Sequence, residues 1–167
     1  MKSRILSPFL TALLMFIGTF ASSVSAAITP EARQENFSLS KKNLALSGYD
    51  PVSYFQSQPL KGSKAITHSQ RGITYRFTNE ANRMAFLAEP TKYEPQYGGW
   101  CAWAMYDDGG RTKPNPKSFT ITDGKLYVFY DGLLADTLKF WNEAAAESSE
   151  AALIAGANRH WKNQVGE

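Results

Sequence analysis

The sequence is poor in the residues that usually carry chemistry: across 167 residues it has one cysteine, Cys101, and two histidines, His68 and His160. A lone cysteine excludes an internal disulfide, so the core has to hold the fold. Glycine-rich phosphate loops, paired catalytic carboxylates and Ser-His-Asp signatures are missing. Repeats and low-complexity tracts do not occur. Charge of one sign is lacking too, since 18 Lys and Arg stand against 15 Asp and Glu. That balance leaves no electrostatic footprint for nucleic acid. Beyond Phe9 to Phe20 there is no second long hydrophobic run.

Lys2 and Arg4 precede that run, and Val24-Ser25-Ala26 follows it. This is the order of a secretory signal peptide, residues 1–26, cleaved before Ala27. The run is short for a bilayer span. The expected product is periplasmic or secreted, with no membrane segment after cleavage. Losing Lys2 and Arg4 leaves 16 basic and 15 acidic residues, net +1, in a chain of 141. Such a length suits one domain with a sizeable core.

The pattern predicts a small single α+β domain in which two β-hairpins form an antiparallel sheet packed against several short helices. Residues 27–42 are polar, aperiodic and carry Pro30, and read as an N-terminal linker before a domain over residues 43–163. Asn43 to Leu46 suggests a first strand, Gly48 to Pro51 a turn, and Val52 to Phe55 a helical turn started by Pro51. Ala65 to Ser69 and Ile73 to Phe77 read as one hairpin. Thr78 or Asn79 then caps a helix with Ala81, Met84, Ala85 and Ala88 on its apolar face, stopped by Pro90. Phe119 to Thr122 and Lys125 to Tyr130 flank Asp123-Gly124, the strongest hairpin signal in the chain. Helices are expected from Leu133 to Glu143 and from Ser148 or Ser149 onward, the last facing inward through Leu153, Ile154, Ala157 and Trp161.

The most unusual stretch runs from Lys92 to Met105, with four aromatics, the adjacent Gly98 and Gly99, Cys101 and Met105. Together with Asp50-Pro51-Val52, Gly72-Ile73-Thr74-Tyr75-Arg76-Phe77, Phe86, Pro90 and Tyr93, the order and spacing resemble the YHS domain. Gly48 to Phe55, Tyr97 to Ala102 and Asp123 to Tyr127 resemble its exported bacterial branch. The resemblance spans about Asn43 to Trp161. It implies a small α+β domain, often associated with heavy-metal handling. In metal-associated members a cysteine follows Asp-Pro-Val, and two more flank the start of the helix after the Tyr-x-Phe strand. Here those places hold Ser53, Thr78 and Asn82, which are poor ligands for soft metals.

Cys101 and Met105 stand four apart, so a helix over residues 99–105 puts both on one face, where thiolate and thioether suit Cu(I) better than Zn²⁺. A third ligand would be His68 or His160, which makes Cys101, Met105 and His68 the candidate set and copper the candidate cofactor. Cys101 also fits a small buried hydrophobe among Tyr97, Trp100 and Trp103, the commonest fate of a free cysteine, or a redox thiol. Capping or packing is the alternative role of His160. Asp107-Asp108 fits either a hard-cation contact or a solvated turn. Tyr49, Tyr54, Phe55, Tyr93, Tyr97, Trp100 and Trp103 fit either a small-ligand pocket or core. Three functional readings result: an exported domain binding a soft metal or small ligand, a metal-free structural or protein-interaction module, and a thiol redox protein. Only the last is enzymatic, and no sequence feature marks the base and orienting group a cysteine nucleophile needs.

Overall fold

The computed structural model describes residues 29–166, so the signal peptide expected over residues 1–26 lies outside the described residues. Helix α1 (Pro30–Asn36) opens the fold, with the Thr29 hydroxyl accepting from the Ala32 amide and Pro30 in the first turn. Its Gln34 Nε2 donates to Gly72 O at 3.0 Å. Residues 30–36 are therefore packed structure where the sequence suggests linker. The polarity is misleading because the one residue α1 buries is Arg33, which is ion-paired to Glu94.

Two short strands follow, β1 (Leu39–Ser40) and β2 (Leu44–Ala45), before the hairpin of β3 (Thr67–Gln70) and β4 (Ile73–Arg76). β1 runs antiparallel to β2, β2 parallel to β4 and β3 antiparallel to β4, giving the sheet order β1-β2-β4-β3. Arg71 and Gly72 join the hairpin at φ 48° and 87°, the left-handed values of a tight two-residue turn. The second hairpin, β5 (Asn115–Thr122) and β6 (Lys125–Phe129), turns on Asp123 and Gly124 at φ 50° and 68°. The fold is α+β as expected. Its hairpins lie in separate sheets, and the first sheet is mixed because β2 adds a parallel pairing.

β6 is the divider of the interior. Leu126 and Val128 belong to one core cluster, with Val52, Tyr54, Ile73, Tyr75, Phe77 and Phe86. Tyr127 and Phe129 belong to a second, with Tyr97, Met105, Trp141 and Leu153. Alternate side chains of one strand point to opposite faces, so a strand with a core on each side carries no polar alternation.

Asn79 caps α2 (Glu80–Ala88), its side chain accepting from the Asn82 amide at 2.8 Å. The helix turns Asn82 and Phe86 inward and leaves Met84 57% exposed. The alanine-methionine face expected from spacing is thus displaced. Phe86 packs on Tyr75 and Phe77, and Met84, two residues from both Asn82 and Phe86, points the opposite way. Pro90 ends α2 and starts α3 (Pro90–Tyr93). After α4 (Ala102–Asp107) and the second hairpin, α5 (Thr137–Glu147) begins at the Asp136 cap rather than at Leu133. Ser149 caps α6 (Glu150–Val165), which buries Leu153 and Ala157 and half-buries Ile154 and Trp161, the face expected. Among the described residues no helix is long and apolar enough to cross a membrane.

This core is vulnerable to alkali. Burial, above other causes, pushes the phenols of Tyr54, Tyr75 and Tyr97 far above their ordinary value of 10.0 and that of Tyr127 to about 12. The unfolded chain releases these protons from about pH 10 while the folded chain keeps them. The unfolded state then binds fewer protons, so stability is intact below pH 10 and is lost as pH rises toward the folded values. Each such ring steepens the loss by about 1.4 kcal/mol per pH unit. Urea midpoints should fall steadily above pH 10. A midpoint flat to pH 11.5 would contradict this.

Candidate functional site

The central stretch lies alongside β6, with parallel bridges from Pro95 to Leu126 and from Cys101 to Val128. Tyr97, Gly98 and Gly99 have φ values of 54°, 60° and 80°, a left-handed turn that brings the backbone against the end of α1. A Cβ on Gly98 would sit 2.8 Å from Asn36 O, so only glycine allows this approach. Trp100 Nε1 seals the junction by donating to Asn36 O at 2.7 Å.

Cys101 is the N-cap of α4, one residue outside the helix, and is fully buried. Its sulfur accepts the Tyr130 amide at 3.3 Å and lies 3.3 Å from Thr137 Oγ1. That hydroxyl donates to Tyr130 O at 2.7 Å. Its proton being committed there, the thiol proton is the one left to bridge Sγ to Oγ1. The thiol thus donates once and accepts once, clasping Tyr130 to Thr137.

Met105 is equally sealed, and its amide donates to Cys101 O at 3.0 Å. Gln164 Nε2 lies 3.7 Å from Met105 Sδ, and His160 Nδ1 lies 2.8 Å from Met105 O. His160 therefore caps the last turn of α4. His68 sits on β3 in the other sheet, half-buried, with its ring 6.3 Å from Phe86. His160 and Met105 are brought together through a carbonyl, whereas His68 and Met105 are attached to different clusters. Among the described residues no three of His, Cys, Asp and Glu are placed to hold a metal ion. Asp108 Oδ1 accepts the Gly110 amide at 2.7 Å, the geometry of a turn.

Sequence reasoning missed the densest polar constellation, which surrounds Asp50. This carboxylate has no exposed surface. Oδ1 accepts the Val52 amide at 2.9 Å, and Oδ2 accepts the Thr78 amide, the Thr78 hydroxyl and Asn82 Nδ2 at 2.8, 2.8 and 2.7 Å. Ser53 Oγ donates to Asp50 O at 2.7 Å and accepts the Leu60 amide. Ser53, Thr78 and Asn82 are thus one cluster in space. The only available signal was that all three stand where the resemblance expects thiols.

Most of the aromatic set is core or surface edge, such as the Phe55–Tyr93 pair at 5.1 Å. One member, Tyr97, lines a cleft of about 250 Å³ with Arg33, Phe37, Glu94 and Trp161. No protein-family model, curated protein or solved structure matches this chain.

Proposed function

We propose that the chain is an exported YHS-like binding domain that works as a metal-free protein-interaction module, with Cys101 as a structural clasp. The state of Cys101 carries this reading: its sulfur is sealed and uses both its proton and a lone pair inside the fold. A soft metal would need that proton removed, and a redox thiol would need solvent. The convergence of Ser53, Thr78 and Asn82 on Asp50 supports the family resemblance, because separated motif positions meet at one point. It also fills that point with hydroxyl and amide groups, which favour a structural role over soft-metal binding.

The test uses the chain without residues 1–26 under anaerobic conditions. A thiol reagent is expected to label Cys101 only after unfolding, and Cu(I) titration should be the same for wild type and Cys101→Ser. Cys101→Ala should cost roughly 1–2 kcal/mol, because it leaves the Tyr130 amide without its acceptor. Fast labelling of the native protein would replace this function with the redox reading. A Cu(I) site that disappears in Cys101→Ser would replace it with the soft-metal reading through Cys101 and Met105.

A further inference from the structure

The two leucines expected to start a core helix are instead the most exposed large hydrophobics of the described chain, Leu133 at 105% and Leu134 at 92%. They form the tip of a tight loop. Its neck is closed by an antiparallel bridge between Asp131 and Asp136 and by the Gly132 amide donating to Ala135 O at 3.1 Å. Below the neck, Thr137 N donates to Tyr130 O at 3.0 Å, and the Cys101 sulfur contacts both residues. The leucines are therefore held outward on a pinned support. Loop tips normally carry Gly, Pro, Asn, Asp or Ser. Placing Leu-Leu there forgoes the burial that ordinarily draws such side chains into a core. A local choice that opposes the fold's own preference in this way marks a functional position.

We propose that this loop is a docking knob whose two leucines enter an apolar pocket, rimmed by Lys or Arg, on a partner protein. Charge and area select that occupant. The segment from Asp131 to Asp136 contains two exposed acids and no base. An anionic bilayer surface attracts basic segments, so the acids oppose membrane insertion. A second copy meeting this loop about a two-fold axis would bring like charges together. Two leucines present roughly 300–400 Å² of apolar surface, well short of the ~800 Å² per partner of a stable dimer and suited to a small anchored contact. Basic groups around a concave pocket complement both the leucines and the flanking acids.

The inference rests on the interaction-module reading, and its test leaves Cys101 untouched, so the two fail separately. A photo-crosslinking residue at position 134 of the full chain, expressed in the producing cells, should yield one discrete protein adduct. That protein, purified, is titrated with wild type, Leu133→Ser/Leu134→Ser and Asp131→Lys. The leucine variant should bind roughly 30-fold or more weakly at an unchanged unfolding midpoint. Asp131→Lys should weaken binding roughly threefold to fivefold and reduce its salt dependence. Four results would overturn the proposal: no discrete adduct; a purified adduct partner that binds all three proteins alike; self-association in sedimentation that the leucine variant abolishes; or leucine-dependent binding to phosphatidylcholine–phosphatidylglycerol vesicles.

Discussion

Asp50→Ala is expected to lower stability by roughly 3–5 kcal/mol, among the largest losses any single substitution in this chain should produce. The carboxylate accepts four hydrogen bonds, all from neutral donors, in a site with no exposed surface. Removing it strands the amides of Val52 and Thr78, the Thr78 hydroxyl and one Asn82 proton. Each stranded buried donor costs about 1–3 kcal/mol, moderated where a water can enter the space left behind. The loss also has a location. Thr78 and Asn82 form the entry to α2, so the helix detaches from the turn at residues 48–51. Asp50→Asn is the informative companion. If its amide oxygen takes the Oδ2 position it keeps three donors, and its nitrogen then faces only the Val52 amide, so it should cost less than half as much as alanine. Urea unfolding followed by tryptophan fluorescence measures both variants. An alanine variant within 1 kcal/mol of wild type would show that the Asp50 network is not a structural node.

That network shows how much of the molecule could be read from its sequence. Turn chemistry was legible because it is local: Asp123-Gly124 tolerates left-handed backbone, and the structure puts it there. The caps at Asn79 and Ser149 were legible for the same reason. Burial created by polar pairing was not, because periodicity counts apolar residues. Arg33, Asp50 and Asn82 are buried at 7%, 0% and 6% exposure, and none of the three was read as core. Leu133 and Leu134 show the opposite failure, since apolar side chains were assigned to a helix and then stood in solvent. Of the candidate site residues, Cys101 and Met105 meet through the Met105 amide and Cys101 O, although Cys101 stands just outside the helix expected to carry both. What each sulfur touches depends on Tyr130, Thr137 and Gln164, which lie between 29 and 59 residues away. No spacing rule reaches that far.

The ion pair between Arg33 and Glu94 decides whether residues 30–36 belong to the domain. Arg33 Nη2 donates to both oxygens of Glu94 at 2.8 and 2.9 Å, and Nη1 donates to Gln70 O at 3.3 Å. The same carboxylate accepts the Tyr75 hydroxyl at 3.0 Å, and the guanidinium lies 4.8 Å from the Phe37 ring centre. The side chains are only 8% and 15% exposed, so water screens the pair poorly. Glu94→Ala leaves the buried cation with no counter-charge and only Gln70 O as acceptor, strands the Tyr75 hydroxyl, and should cost about 3 kcal/mol. Arg33→Ala should cost a similar amount by stranding the carboxylate. The double variant removes both charges and should fall clearly short of the sum of the singles, a coupling of about 1–3 kcal/mol in a double-mutant cycle. Deleting residues through Phe37 should destabilise at least as much as Arg33→Ala, because it also removes Trp100's acceptor at Asn36 O and the Gln34 bond to Gly72. A true linker would show none of this: additive singles near zero and a deletion with wild-type stability would return α1 to that role.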